Sequence, residues 1–241
     1  LGDLAADVVQ DLLVGADWLA EFVDLLRTRR QVILYGPPGT GKTFLALSVA
    51  EALTEPANVQ LVQFHPAYSY EDFFEGYRPA GIDEEGRLGF TLRPGPLRKI
   101  VDQAVENPST PFILIIDEIN RANLARVFGE LSFLLEYRDR RIELMYGSGD
   151  QGRDFTLPKN LFIVGTMNTA DRSIALVDAA MRRRFAFLSL QPNDEHRRGV
   201  LRGWLEREDL ATEPADLLDV LNDRIPDRDF CVGPSYLMRP E

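Results

Sequence analysis

Apolar residues recur along the chain with two periods. From 4 to 30, Leu4, Val8, Leu12, Leu19, Val23 and Leu26 stand at helical spacing, because residues three or four apart share one face of a helix. Residues 31–35 (QVILY) then form an apolar run of strand length that ends in a glycine-rich loop, 36–41. The stretch 42–53 (KTFLALSVAEAL) predicts an amphipathic helix, 58–65 (NVQLVQFH) a second strand, and 66–93 a loop rich in aromatic and acidic residues. A helix over 94–107 opens on Pro94, whose fixed φ suits the first helical turn. Residues 112–117 predict a third strand. Those at 121–138 predict a helix with Leu124, Val127, Phe128, Leu131 and Leu135 on one face. Weak alternation over 140–158, with Gly147, Gly149 and Gly152, suits a hairpin. A strand at 161–167, a short helix at 174–183 and a fifth strand at 185–190 follow. After Pro192 the pattern changes: 194–209 and 213–225 are helical and no further strand is predicted.

Strands that alternate with helices imply an α/β fold, with a mostly parallel sheet covered on both faces. The change near 192 divides the chain into an α/β domain over 1–192, led by a helical segment at 1–30, and a small helical lid over 193–241. The first residue is Leu rather than Met and the chain stops soon after the lid helices, as expected of an excised domain with a truncated lid. No apolar run approaches the roughly 20 residues of a membrane span, so no membrane partner is expected. A single cysteine, Cys231, excludes an internal disulfide framework and fits a reducing cytoplasm. The net charge of −11 argues against an evenly basic nucleic-acid footprint, although a narrow basic pore stays compatible with it. Lysine occurs only at 42, 99 and 159, which draws attention to Lys42.

That lysine closes Gly36-Pro37-Pro38-Gly39-Thr40-Gly41-Lys42-Thr43, which fits G-x-x-x-x-G-K-[ST] between a strand and a helix, the context this phosphate loop requires. The glycines let backbone N–H groups curl around phosphate oxygens, and the helix N-terminus adds its positive end. Lys42 is expected on the β- and γ-phosphates and Thr43 on Mg²⁺, with Phe44 completing the candidate nucleotide-binding set. The strand 112–117 delivers Asp117 and Glu118 at its C-terminal end, where open α/β sheets place their ligands. Asp117 is the candidate metal ligand with Thr43, and Glu118 the group that polarises the attacking water. A plain turn or helix cap is the alternative for such an acidic pair.

Asn168-Thr-Ala-Asp171 has the outline of a guanine-reading N-x-x-D motif, but Thr169 stands where that motif needs Lys. If its strand lies between those of Gly36 and Asp117, Asn168 faces the last phosphate and can orient the nucleophile instead. Asp171 joins it as a candidate catalytic residue, or serves as a helix cap. Arg182, Arg183 and Arg184 precede the fifth strand. Arg183, supported by Arg184, is the candidate arginine finger given to a neighbour's nucleotide, which requires an oligomer. A solvated basic turn and a nucleic-acid patch are the alternatives. The aromatics of 63–79 lie among Glu71, Asp72 and Glu75, which disfavours nucleic acid and suits a subunit contact. His65 and His196 stand alone, and Arg239 is a weak candidate for touching phosphate from the lid.

Together the phosphate loop, Asp117-Glu118, the strand-end Asn168 and the Arg-Arg-Phe at 183–185 resemble the AAA+ NTPases. VQFHPAYSYEDFFEGYRP, IIDEINRANLARVFGEL, GTMNTADRSIALVDAAMRRRF and GPSYLM resemble more particularly the motor subunits of McrBC-type modification-dependent restriction systems, over roughly residues 28–240. The resemblance implies a three-layer αβα P-loop fold with a helical lid and a ring, expected to be a hexamer, with nucleotide between subunits. It implies GTP rather than ATP, although neither the phosphate loop nor Asn168 discriminates the bases. It also implies that the loop 167–173 helps place the catalytic water and is engaged by an McrC-like subunit that stimulates hydrolysis and carries the nuclease. DNA would then be reached through partners or through an N-terminal recognition domain not in this sequence. A MoxR-like chaperone ATPase and a non-hydrolysing nucleotide-switched scaffold are the competing functions. No lid arginine stands at the expected second-sensor position.

Overall fold

A computed structural model of the chain describes residues 1–82, 86–146, 154–171, 177 and 179–238. Helices α1 (Ala6–Asp11) and α2 (Ala16–Arg29) lead into β1 (Gln31–Gly36), the glycine loop and α3 (Lys42–Leu53). Then come β2 (Val59–Gln63), a single turn α4 (Tyr70–Phe73), the ribbon strands β3 (Glu75–Ile82) and β4 (Leu88–Pro94), α5 (Pro96–Glu106) and β5 (Phe112–Asp117). The short helices α6 (Leu124–Phe128) and α7 (Leu131–Glu136) precede the strands β6 (Ile142–Glu143) and β7 (Asp154–Phe155), then β8 (Leu161–Asn168). The chain ends with α8 (Ala179–Arg182), β9 (Ala186–Ser189), α9 (Val200–Arg207) and α10 (Glu213–Asp223).

Five strands form one parallel sheet in the order β2-β5-β8-β1-β9. Side chains of a strand alternate between the sheet's faces, and two apolar cores follow from that alternation. Ile33, Leu114, Ile116 and Ile163 join the core beneath α5, α6 and α7. Their neighbours Val32, Leu34, Ile113, Ile115 and Val164 join the core beneath α2 and α3. Both faces are buried, which is why these strands read as continuous apolar runs. A third, smaller cluster, Leu201, Leu205, Ala215 and Leu218, packs α9 on α10. Among the described residues no helix is long and apolar enough to cross a membrane.

The expected α/β architecture and its five parallel strands are observed, but several elements differ. The leading helix is two helices, broken where Leu13 takes φ 53° before Gly15, because Gly15 N–H must reach the His196 carbonyl at 3.2 Å. The helix expected over 121–138 is split at Gly129 (φ 49°, ψ −131°), a conformation that ends a helical run. The loop expected over 66–93 contains α4 and an antiparallel ribbon, Glu75 opposite Pro94. Of the aromatics of 63–79 expected at a subunit contact, Phe64, Tyr70, Phe73 and Phe74 are instead buried in the chain's own core. Among the Phe and Tyr residues of 64–77, Tyr77 is the exposed one (49%). The hairpin expected over 140–158 is present as the pair β6–β7, while its three glycines lie outside the described residues.

Candidate active site

Strand β1 ends at Gly36, and the loop beyond it turns through Gly39 (φ 78°) and Gly41 (φ 80°), where a side chain would be strained. Helix α3 starts directly after this loop, and its N-cap, Gly41, supplies no capping side chain. The first N–H groups of the helix therefore stay available to an anion. Lys42 is only 6% exposed, yet its ammonium meets no carboxylate: it donates to Gly36 O (3.1 Å), Pro37 O (2.7 Å) and Thr40 Oγ1 (3.3 Å). Burial lowers its pKa from 10.5 to about 8; the nearby Glu118 and Asp117 charges oppose that fall and Arg197 adds to it.

Beside the loop, Asp117 closes β5. Its Oδ1 accepts from Thr43 Oγ1 and from Thr166 Oγ1, both at 2.6 Å. Thr166 Oγ1 in turn accepts from the Glu118 N–H at 3.1 Å. Glu118 adopts a left-handed backbone (φ 54°, ψ 43°), uncommon for a residue with a side chain and typical of strained functional turns. Its Oε1 accepts from Asn168 Nδ2 at 2.5 Å and its Oε2 from Arg121 Nε at 3.4 Å. Arg121 Nη2 also reaches Asp171 Oδ2 at 3.2 Å. The sheet order explains the meeting: β8 lies between β1 and β5, so Gly36 is paired with Asn168, and Asn168 ends beside Asp117-Glu118. Lys42, Thr43, Asp117, Glu118, Thr166 and Asn168 line one cleft of about 240 Å³.

A second cavity of about 480 Å³ adjoins it, lined by Asp11, Leu13, Gly41, Phe44, Arg197 and Trp204 among others. Arg197 is 6% exposed and donates from Nη2 to Thr40 O at 2.6 Å; burial pushes its pKa down to about 10. The segment after α10 closes over the same loop. Ser235 N–H donates to Gly39 O at 3.0 Å, and a Cβ on Gly233 would lie 2.1 Å from the Gly39 carbonyl carbon, so only glycine fits there.

The arginines before β9 stand elsewhere. Arg29 donates to the Arg183 carbonyl (3.2 Å) and Gln31 to that of Arg184 (2.7 Å), which places both at the start of β1. The phosphate loop leaves the other end of that strand, about 17 Å away at roughly 3.3 Å per residue. The Arg183 side chain is 63% exposed and pairs with Glu136 at 3.1 Å; that of Arg184 is 13% exposed and held by Ala180 O and Glu136. The structure thus gathers residues 36–44, Asp117, Glu118, Asn168 and Asp171 at one edge and leaves Arg183 and Arg184 at the opposite one. Arg239 and residues 172–173 lie outside the described residues.

Four residues at the site, Thr166, Arg121, Arg197 and Ser235, are not among the candidates the sequence singles out. Thr166 could have been found as the partner of Asn168 on one strand face, two positions apart. Arg121 and Ser235 stand inside the family-like strings IIDEINRANLARVFGEL and GPSYLM, which marked the stretches without giving these residues a role, and Arg197 lies in no such string; the places of all three depend on how distant segments pack. The donor set suits a magnesium-bound triphosphate: a buried ammonium without a carboxylate partner, an uncapped helix N-terminus, and a hydroxyl and a carboxylate bonded to each other at Thr43–Asp117.

Residues 31–185 match the model of the AAA domain (dynein-related subfamily). The chain is 45% identical over 193 residues to the EcoKMcrB subunit of a type IV methyl-directed restriction enzyme from Escherichia coli K12, an alignment covering 77% of this chain and 40% of that protein. It therefore spans less than half the length of that relative. It is 30% identical to YdiS, a component of the type II restriction enzyme BsuMI from Bacillus subtilis 168, over 98% of this chain and 80% of YdiS. In fold it resembles a candidate ATPase from Cytophaga hutchinsonii, with a TM-score of 0.51 at 15% identity over 96% of this chain and 59% of that one. A family match that runs from β1, through the phosphate loop, to the end of the arginine triplet makes this chain a member of the dynein-related AAA subfamily, a P-loop NTPase domain resembling that of McrB.

Proposed function

We propose that this chain is the motor domain of an McrB-like, Mg²⁺-dependent nucleoside-triphosphate hydrolase. In this reading it forms a ring, expected to be hexameric, and powers DNA translocation or cleavage with an McrC-like nuclease subunit, in cytoplasmic restriction or anti-phage defence. The observation that carries the chemistry is the convergence of Lys42, Thr43, Asp117, Glu118 and Asn168 on one cleft. Lys42 and the uncapped start of α3 hold the phosphates, and Thr43 and Asp117 hold the ion. Bound there, Mg²⁺ supplies charge neutralisation to the phosphate oxygens. Glu118 accepts a proton from the attacking water while Asn168 orients it. Residues 1–192 form the nucleotide-binding unit and 193–241 the lid, which grips the loop through Arg197 and Ser235. DNA is engaged through partners or through a separate N-terminal domain.

GTP is the proposed nucleotide. Asp11 lines the cavity beside the loop, and Arg207 holds the Asp11 carbonyl at 3.2 Å. A carboxylate accepts from both the N1–H and the 2-amino group of guanine, whereas adenine's corresponding edge presents an acceptor at N1. Replacing Asp11 with Asn is expected to lower kcat/KM for GTP roughly tenfold, as loss of an exposed charge-assisted bond implies, and to leave that for ATP unchanged. Equal losses for both nucleotides would remove Asp11 from base reading.

Lys42 gives a pH dependence of definite sign. Its pKa in the free chain is about 8 against 10.5 for the ordinary side chain. The unfolded chain therefore binds more protons between these values, and the nucleotide-free protein gains stability as pH rises through that window. Phosphate binding needs the charged form, so affinity for a triphosphate is expected to fall as pH rises above about 8. Calorimetric titration at pH 7, 8 and 9 measures this, and an affinity flat across the series would contradict it.

Turnover of GTP against ATP by the assembled chain, with and without an McrC-like partner, tests the whole reading. Hydrolysis stimulated by that partner supports it; hydrolysis of neither nucleotide refutes it. ATP turnover stimulated by an unfolded protein client would favour a MoxR-like chaperone.

A further inference from the structure

We propose that Arg121 is a positioning residue that latches the hydrolytic pair at rest, so that its release raises turnover. This rests on the assignment of Glu118 and Asn168 to the attacking water. In the structure those two groups are bonded to each other at 2.5 Å, so the amide donor that would orient the water is directed to the carboxylate. The second carboxylate oxygen accepts from Arg121 Nε at 3.4 Å. Both oxygens of the candidate base therefore already have donors, which hold its rotamer. Arg121 goes on to pair with Asp171 at 3.2 Å. The result is a closed chain, Asn168–Glu118–Arg121–Asp171. It ties the turn after β5 to the segment leaving β8, the two pieces of backbone that carry the chemistry. Asn120 strengthens the tie by donating to Asn168 O at 3.3 Å.

Arg121 reaches this chain from the outer surface, with its side chain 43% exposed, while that of Glu118 is 17% exposed. Ion pairs at such exposure are weak and screened by salt. The latch is accordingly a contact that a competing charge can open, whereas the Thr43–Asp117–Thr166 cluster inside the cleft is bonded at 2.6 Å and stays closed. The left-handed backbone of Glu118, held in a strained region, sits at the point the latch restrains. Opening it frees Glu118 Oε2 for water without disturbing the phosphate loop.

The test compares wild type, Arg121→Ala and Arg121→Lys as assembled chain without any partner, at saturating protein concentration, with GTP and with ATP. Arg121→Ala is expected to raise kcat about two- to fivefold, the range such exposed pairs support, with KM and the Kd of a non-hydrolysable analogue unchanged. Wild-type kcat is expected to rise with ionic strength and that of Arg121→Ala to stay flat, while Arg121→Lys keeps part of the restraint. Without nucleotide, hydrogen exchange over 118–123 and 166–171 is expected to be faster in Arg121→Ala. A kcat that is unchanged or lower in Arg121→Ala overturns the latch. The double variant Arg121→Ala/Glu118→Gln separates the two ideas: if it hydrolyses as fast as Arg121→Ala, the role of Glu118 itself fails.

Discussion

Replacing Glu118 with Gln is expected to abolish nucleotide turnover while leaving nucleotide bound. The carboxylate stands at the carboxyl edge of the sheet, in the cleft with Lys42 and Thr43, and 2.5 Å from the Asn168 amide. Gln keeps the size of Glu and its one carbonyl oxygen can still accept from Asn168, so packing is preserved, while its amide nitrogen cannot accept from Arg121 and that exposed contact is lost. What it loses is the ability to take a proton from water, a function worth about 10²- to 10⁴-fold in rate. Lys42 is held by Gly36 O, Pro37 O and Thr40 Oγ1 rather than by Glu118, so affinity is expected to be retained. Steady-state hydrolysis alongside equilibrium binding of a labelled nucleotide measures both quantities. A variant that hydrolyses within about threefold of wild type would take Glu118 out of the chemistry.

Arg183→Ala is expected to remove ring-dependent hydrolysis by about 10³- to 10⁵-fold, the range measured for arginine fingers, and to leave binding by the isolated chain nearly unchanged. Its side chain is exposed and its backbone is held at the start of β1, a strand's length from its own phosphate loop. It therefore stands too far to serve its own nucleotide, and in the proposed ring it would be offered to a neighbour's. Glu136 holds it there and also pairs with the largely buried Arg184. Mixing subunits decides the point. Arg183→Ala subunits have an intact Glu118, and Glu118→Gln subunits an intact Arg183, so a mixed ring regains active interfaces only if the finger acts between subunits. Mixed rings as inactive as either variant alone, or a monomer that hydrolyses at full rate, would defeat this assignment.

The two sites of substitution differ in how they could be read. Asp117-Glu118 announces itself because a buried apolar run, 112–116, must end where the sheet meets solvent, and acidic residues at such an end are placed by local chemistry alone. The loop 36–43 is legible for the same reason, since its glycines answer to backbone conformations of their own turn. The leading helix misleads: its periodicity is sound, but the tie from Gly15 to His196, far along the chain, breaks it. The aromatics of 63–79 mislead in the same way. Their burial depends on α5 and α6 folding against them, with Phe128 against Phe73, which a charge count within the stretch does not register.

By itself, then, the amino-acid order determined the α/β class, the five strands, the phosphate loop and the acidic pair, because each is specified by periodicity or turn chemistry within a dozen residues. Tertiary structure alone decided the strand order that sets Asn168 beside Glu118, and the Thr43–Asp117–Thr166 cluster. It also decided the grip of Arg197 and Ser235 on the loop and the latch from Arg121 to Asp171. These contacts join residues 49 to 196 positions apart. Their energy comes from burial and hydrogen bonds that form only once the sheet has closed, and no local pattern along the chain records them.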